Sequence, residues 1–416
     1  MSVPMNPAAA LQRAAAIRPA LARRALETES ARRVAAATLV ELHEAGLFRL
    51  LQPARVGGAE LDIGVLVEVS AELARGCAAS AWVLANLASH HWMLGMWPQA
   101  AQDEVWCAAG ETADALICAS LIFPAGRAQA CEGGFRLSGR WTFASGIDDS
   151  GWVMLGAIVD EGSGAGEEHW DGAPHEPDVF AMAPGEYRIF LLPKGDYRVR
   201  DTWHAAGLCG TGSNEVSVAG VLVPLHRTLS ITAVQGGMTP GSHANPGPLY
   251  RIPLLPTFGY VVAGVTLGIA QGMLDRFTDE NRDRMASSSG RMLTDFHPVQ
   301  ARVAEASASI DAAKRLLLGN CADIMADAAR KEAPSPLEKA RLRRDAAFAA
   351  QLCRRAVDLL FDASGGAALF LAHPAQRALR DIRAACAHIA LNWDAAAAVY
   401  GRVALGHSAD LPPYER

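Results

Sequence analysis

What this 416-residue chain lacks narrows its function more than what it contains. Its eight cysteines (77, 107, 118, 131, 209, 321, 353 and 386) form no C-x-x-C and show no ligand-like spacing. That argues against a zinc site or a disulfide framework and for buried thiols in a reducing compartment. No metal site is expected from the twelve histidines either. The adjacent pair, His90 and His91, would point about 100° apart on a helix. Net charge is −6 with no run of Lys or Arg, which leaves no electrostatic footprint for nucleic acid. No apolar run reaches the ~18 residues of a membrane span. The opening stretch is broken by Arg13, Arg18, Arg23 and Arg24, unlike the core of a signal peptide. A soluble, cytoplasmic protein is expected. Nucleotide and hydrolase motifs are missing too: no G-x-x-x-x-G-K-[ST], no H-E-x-x-H, no G-x-S-x-G. The glycine cluster "GLCGTGSNEV" (207–216) lacks a third glycine and leads into a strand rather than a helix.

What is present divides into three. Residues 1–115 carry helical periodicity in "AAATLVELHEAGLFRLL" and "VLVEVSAELARGCAASAWVLANLASHHWMLGMW", separated by the loop "QPARVGGAELD". Over 116–225 the period becomes two, in short segments such as "GFRLSGRWTFASG", "GWVMLGAIV" and "EVSVAGVLVP", which predicts a small antiparallel barrel or sandwich. The polar, Gly-rich stretch 160–178 reads as a hairpin excursion from it. The third part, 226–416, opens on a Pro/Gly-rich crossing at 235–256 and then returns to helical spacing in four long segments, the last running unbroken through "PAQRALRDIRAACAHIALNWDAAAAVYGRVAL". The fold class is therefore mainly α with a central β domain and a C-terminal four-helix bundle.

Four segments occur together and in order: "PARVGGAELD", "GRWTFASGIDDSGWV", "TWHAAGLCGTGSNEVSVAGVLVP" and "SGGAALFLAHPAQRALRDIRAACAHIALNWDAAAAVYGRVALG". In this the chain resembles the acyl-CoA dehydrogenase fold from about residue 35 to 405. More narrowly it is similar to the two-component flavin-dependent monooxygenase branch, of the p-hydroxyphenylacetate hydroxylase and phenolic secosteroid hydroxylase type. The resemblance implies an oxygenase component that binds reduced flavin (FMNH2 or FADH2) and O2, and hydroxylates a small aromatic, phenolic substrate through a flavin C4a-hydroperoxide. It also implies a separate NAD(P)H:flavin reductase as partner, and a homo-oligomer, a tetramer. A dehydrogenase would need a carboxylate base, and no isolated Glu on an apolar helix face of the final bundle stands ready for it.

Candidate site residues follow, each with a plainer alternative. On a helix, Asp381, Ala384, Ala385, His388 and Asn392 share a face of small residues around one imidazole. That suits a substrate pocket lined by Asn392, or a core histidine bonded to Asp381. The resemblance makes His388 the catalytic base toward a phenol or a partner of the hydroperoxide, tasks that suit an imidazole. Ser145, in "WTFASG", is the implied catalytic and flavin-binding hydroxyl, or simple turn chemistry. Trp141 and Phe143 alternate along the same strand, so both are expected on one side, as flavin wall or as core. His91 is favoured over His90 as a catalytic residue lining the substrate cavity, with His90, Trp92 and Trp97 as substrate-binding wall. Helix-end capping is the alternative for the histidines. Gly210, Thr211, Gly212 and Ser213 offer backbone N–H groups for a flavin edge, or form a tight turn. Ser364, Gly365 and Gly366 follow a helix end. They are a C-cap or, by the resemblance, a turn touching flavin of a neighbouring subunit. Oxidation at nitrogen or sulfur, a true acyl-CoA dehydrogenase, and a non-catalytic helical scaffold are the rival readings.

Overall fold

The computed structural model describes residues 5–107, 115–160, 185–285 and 290–408. Beyond Asp160, the excursion expected over 160–178 lies outside the described residues. The N-terminal helices are α1 (Pro7–Ala31), α2 (Ala36–Glu44), α3 (Ile63–Ala74), α4 (Ala78–Gly95) and α5 (Gln99–Trp106). Every residue of α4 is buried, as its nearly uniform apolar composition requires. It packs against α3, against β1 (Ile117–Ser120) of the sheet and against α6 (Leu254–Asn281) of the bundle, so it runs through the middle of the molecule.

The other strands are β2 (Gly126–Cys131), β3 (Gly134–Ala144), β4 (Trp152–Asp160), β5 (Glu186–Pro193), β6 (Arg198–Arg200), β7 (Asn214–Pro224) and β8 (Thr228–Ser230). Their order is β6-β7-β3-β2-β4-β5-β8, with β1 added on β4. Five pairings are antiparallel, as expected, but β1 and β2 both run parallel to β4, which makes the sheet mixed. The reason is the connection: β1 passes through a short 3-10 turn at Phe123–Ala125 and continues as β2 in the same direction.

The C-terminal part contains α6, α7 (His297–Ala329), α8 (Pro336–Ser364), α9 (Pro374–Cys386) and α10 (Trp393–Ala404). By length and composition α6 could cross a membrane, contrary to the expectation that no such stretch exists, yet 83% of its most apolar window is buried inside the protein. It is the core helix of the bundle. A second correction concerns the last helix, expected as one element. It stops at Cys386, and His388 is extended at φ −62°, ψ 136°. Two side chains stabilise the break. His388 Nδ1 accepts the Ala390 N–H at 3.1 Å, and Asn392 Oδ1 accepts the Ala395 N–H at 3.1 Å as the N-cap of α10. Asp381, His388 and Asn392 therefore do not share the face of a continuous helix.

Candidate active site

Steps of four along α4 place Trp82, Asn86 and His90 on one side of the helix. The link between α9 and α10 brings His388 to that side, with ring centroids 5.6 Å from Trp82 in an edge arrangement. Phe258, in the first turns of α6, stands 6.0 Å from His388 and 6.4 Å from His90, parallel to the latter. Two imidazoles are thus set among aromatic walls where the N-terminal helices, the sheet and the bundle meet.

Hydrogen bonding fixes the tautomer of each ring. The His90 Nδ1–H donates to the Ile117 carbonyl at 2.7 Å, which leaves its Nε2 with a bare lone pair. His388 is the reverse. Its Nδ1 accepts a backbone N–H, so in the neutral ring the hydrogen sits on Nε2. Neither Nε2 makes a hydrogen bond among the described residues. Burial pushes both rings down to about 4, so both are neutral at physiological pH. Asp381 does not bond His388. Its Oδ1 accepts the Leu208 N–H at 2.7 Å, tying α9 to the loop before β7.

Beside the imidazoles lies a chain of hydroxyls. Trp82 Nε1–H donates to Ser145 Oγ at 3.1 Å, Ser145 and Ser213 Oγ are 2.8 Å apart, and Ser213 and Thr211 hydroxyls 2.6 Å. Ser145 follows β3 and Ser213 precedes β7, neighbouring strands that a register shift between Trp141 and Ala144 makes irregular. That bulge corrects the expectation that Trp141 and Phe143 face one way, because an extra residue reverses the alternation. Trp141 is fully buried, with its indole N–H on the Gly156 carbonyl and its ring seated where Gly126 and Gly139 leave space, so it is core and not flavin wall. Phe143 is 58% exposed at φ 62°, with Trp203 edge-on at 5.9 Å. A bulky residue in the left-handed region is costly, and such strain concentrates at functional positions.

Other expected residues lie elsewhere. His91 points away from the cluster: its Nδ1 accepts from Trp106 Nε1 at 3.1 Å and burial pushes it down to about 3. As neighbours on a helix only one of the pair can face the site, and it is His90. Trp92 donates to the Leu249 carbonyl, and Trp97 is fully buried, so both are core of the N-terminal helices rather than substrate wall. Asn392 is occupied as a helix cap. Ser364 bonds its own helix through Leu360, and Gly365 ends α8 at φ 74°, followed by the exposed Leu369, Phe370 and Leu371. Gly210 lies against Thr28 of α1, where a Cβ would fall 2.4 Å from its methyl, and Gly212 turns the chain at φ 53°. The residues that sequence reasoning missed are Trp82, Asn86, Phe258 and Trp203; the four-residue spacing of the first two with His90 was the available signal. Among the described residues no group of His, Cys, Asp and Glu could hold a metal ion.

Comparisons with known proteins place the fold in a family. Residues 12–109 match the acyl-CoA dehydrogenase N-terminal domain and residues 260–393 the acyl-CoA dehydrogenase C-terminal domain. The chain is 36% identical over 393 residues to the oxygenase component of an FADH2-dependent resorcinol hydroxylase from Rhizobium sp. (strain MTP-10005), covering 92% of this chain and 90% of the relative. Among solved structures, 3-HSA hydroxylase from Rhodococcus sp. RHA1 superposes with a TM-score of 0.85 at 34% identity, covering 96% of this chain and 97% of the other. XiaF from Streptomyces sp., solved with FADH2 and glycerol, superposes with a TM-score of 0.84 at 27% identity, covering 98% and 97%.

Proposed function

The chain belongs to the acyl-CoA dehydrogenase family, among its flavin-dependent monooxygenase oxygenase components, and from that premise we propose that it hydroxylates a phenolic substrate using reduced flavin and O2. The observation that carries this reading is the opposite polarity of two neutral imidazoles beside one aromatic ring. Among the described residues no carboxylate is hydrogen-bonded to either, so the proton-handling groups of the cluster are the two imidazoles.

The residues present fit a flavin. Phe143 and Trp203 form an apolar shelf, and Ser145, Ser213 and Thr211 provide a hydroxyl edge beside it. These would hold a flat ring with one polar side. Bound reduced flavin and O2 supply the oxygen atom, and oxidised flavin and water are the other products. The phenol O–H donates to His90 Nε2, which takes its proton as the ring carbon is oxygenated. A ring pushed down to about 4 is too weak a base to ionise a free phenol beforehand, so proton movement accompanies oxygen transfer. His388 Nε2–H is a donor for the oxygen being delivered. The base role expected for His388 thus passes to His90. Trp82 and Phe258 keep water from the reacting atoms.

A separate reductase supplies the reduced flavin. The exposed Leu369, Phe370 and Leu371, beside Ser364–Gly366, favour a homotetramer that covers them. Eight free cysteines favour the cytoplasm. The test supplies FADH2 or FMNH2 anaerobically, then air and a panel of phenols with their O-methyl ethers. Phenol-dependent hydroxylated product is expected, with little from the ethers. Equal oxidation of the ethers, or oxygen uptake that no phenol affects, would remove the proposal.

A further inference from the structure

We propose that Asn86 reads a second hydroxyl on the substrate ring, so that the preferred substrate is a benzenediol whose two hydroxyls are not adjacent. This deepens the phenol reading and rests on it. With one phenolic oxygen at His90, the Asn86 Oδ1 has no hydrogen-bond partner among the described residues. The amide is held in one orientation. Its Nδ2–H donates to the Trp82 carbonyl at 2.8 Å, and a carbonyl can only accept, so the other arm of the amide is the oxygen. The helix does not need that bond, because a carbonyl within α4 already accepts the backbone N–H four residues on. Its effect is to fix Oδ1 as an acceptor turned away from the Trp82 carbonyl.

Residual exposure along α4 marks the face on which this acceptor stands. Trp82 keeps 5% of its surface and Asn86 7%, while Val83, Leu84 and Ala85 between them, and Leu87, Ala88 and Ser89 beyond, keep 0–1%. In a helix enclosed on all sides, surface that returns after four residues marks an opening along one face. The next member of that face is His90, whose imidazole lies parallel to the Phe258 ring at 6.4 Å. Asn86 Oδ1 and His90 Nε2 are therefore two acceptors one helical turn apart on the same wall. Cβ atoms four residues apart on a helix lie about 5–6 Å from each other. The hydroxyls of a 1,2-diol are in contact with one another and do not span that distance. Those of a 1,3- or 1,4-diol do, each donating its hydrogen to one acceptor. A ring without the second donor leaves the enclosed amide oxygen unsatisfied, which weakens its binding.

The test is competition between paired substrates on the full-length protein supplied with FADH2 and air. Each of the 1,2-, 1,3- and 1,4-benzenediols competes at equal concentration with its own mono-O-methyl ether, and the ratio of hydroxylated products is read. The ether keeps one phenol and a ring of similar electron richness, and loses only the second donor. Wild type should favour the diol by about tenfold in the 1,3 or the 1,4 pair, the gain from one hydrogen bond shielded from water. The 1,2 pair should react nearly alike. In Asn86→Leu, checked by thermal unfolding, the favoured pair should fall to parity. Should that variant not fold, the wild-type pairs decide alone. Parity in both the 1,3 and 1,4 pairs, or an equal preference in the 1,2 pair, overturns the inference. So does a wild-type preference kept in folded Asn86→Leu. In each of these cases the phenol reading stands, because phenols are still hydroxylated. Hydroxylation of none of the six compounds by wild type overturns the phenol reading and this inference with it.

Discussion

The imidazoles of His90 and His388 flank the Phe258 ring with opposite polarity, one presenting a lone pair and the other an N–H. If the phenol proton passes to His90, replacing it by leucine removes the acceptor while leaving the hydroxyl edge intact. Product formation in a single turnover from supplied reduced flavin should fall by about 10²–10⁴-fold, with oxygen released as hydrogen peroxide instead. Reduced-flavin affinity should change little. Undiminished product in His90→Leu would remove that role.

For His388 the decisive comparison is between two replacements. Glutamine keeps an N–H donor of similar reach, and leucine keeps none. A donor role predicts that His388→Gln retains at least about tenfold more hydroxylation than His388→Leu, the scale of one hydrogen bond in a site shielded from water. A base role predicts that both fail alike, since an amide does not take up a proton at neutral pH. Single-turnover yields of the two variants separate these outcomes.

The three-part order was legible in the change of hydrophobic period from helical to two and back, because that period reports directly which side of each element is buried. The break after Cys386 was not. No glycine or proline marks it, and the capping groups are the two polar residues, His388 and Asn392, that read as site residues on a continuous helix. Helix phase failed for His90 and His91 because α4 is buried all round, so apolar spacing does not pick out a face. Strand phase failed at Phe143 for another reason: a bulge leaves no mark in local alternation. The chain of hydroxyls joins residues 68 positions apart through strand pairing, which only the fold reveals.

Asp381 makes stability depend on pH. Burial pushes its carboxyl up to about 6 against an ordinary 3.8, despite the Leu208 N–H and nearby Arg377 and Arg380; Glu29 adds to the rise. Its favourable contribution is complete below pH 3.8 and lost as pH rises through 6, because the folded protein must then hold a desolvated charge. Asp381→Asn keeps the acceptor and removes the charge. Its Tm should exceed that of wild type by about 2 °C or more at pH 7.5 and converge with it near pH 4. Unfolding scans at the two pH values check this, and a variant less stable at pH 7.5 would contradict it.

Phe143 offers a way to tell strain kept for function from strain kept for structure. Its φ of 62° is one that glycine adopts without penalty, while its ring is largely exposed and contributes little to the core. Losing the side chain in Phe143→Gly therefore removes little burial and relieves a conformational cost of about 1–3 kcal/mol. The glycine also gains entropy in the unfolded chain, which offsets part of that relief. The expected net effect is a Tm equal to or above that of wild type. If the ring is the shelf for flavin, the same variant should bind reduced flavin about tenfold more weakly, through loss of apolar contact area. The two readouts move in opposite senses only when the strained conformation serves the ligand. A fall in Tm with unchanged flavin affinity would make Phe143 a structural residue, and the shelf would have to be sought elsewhere along β3.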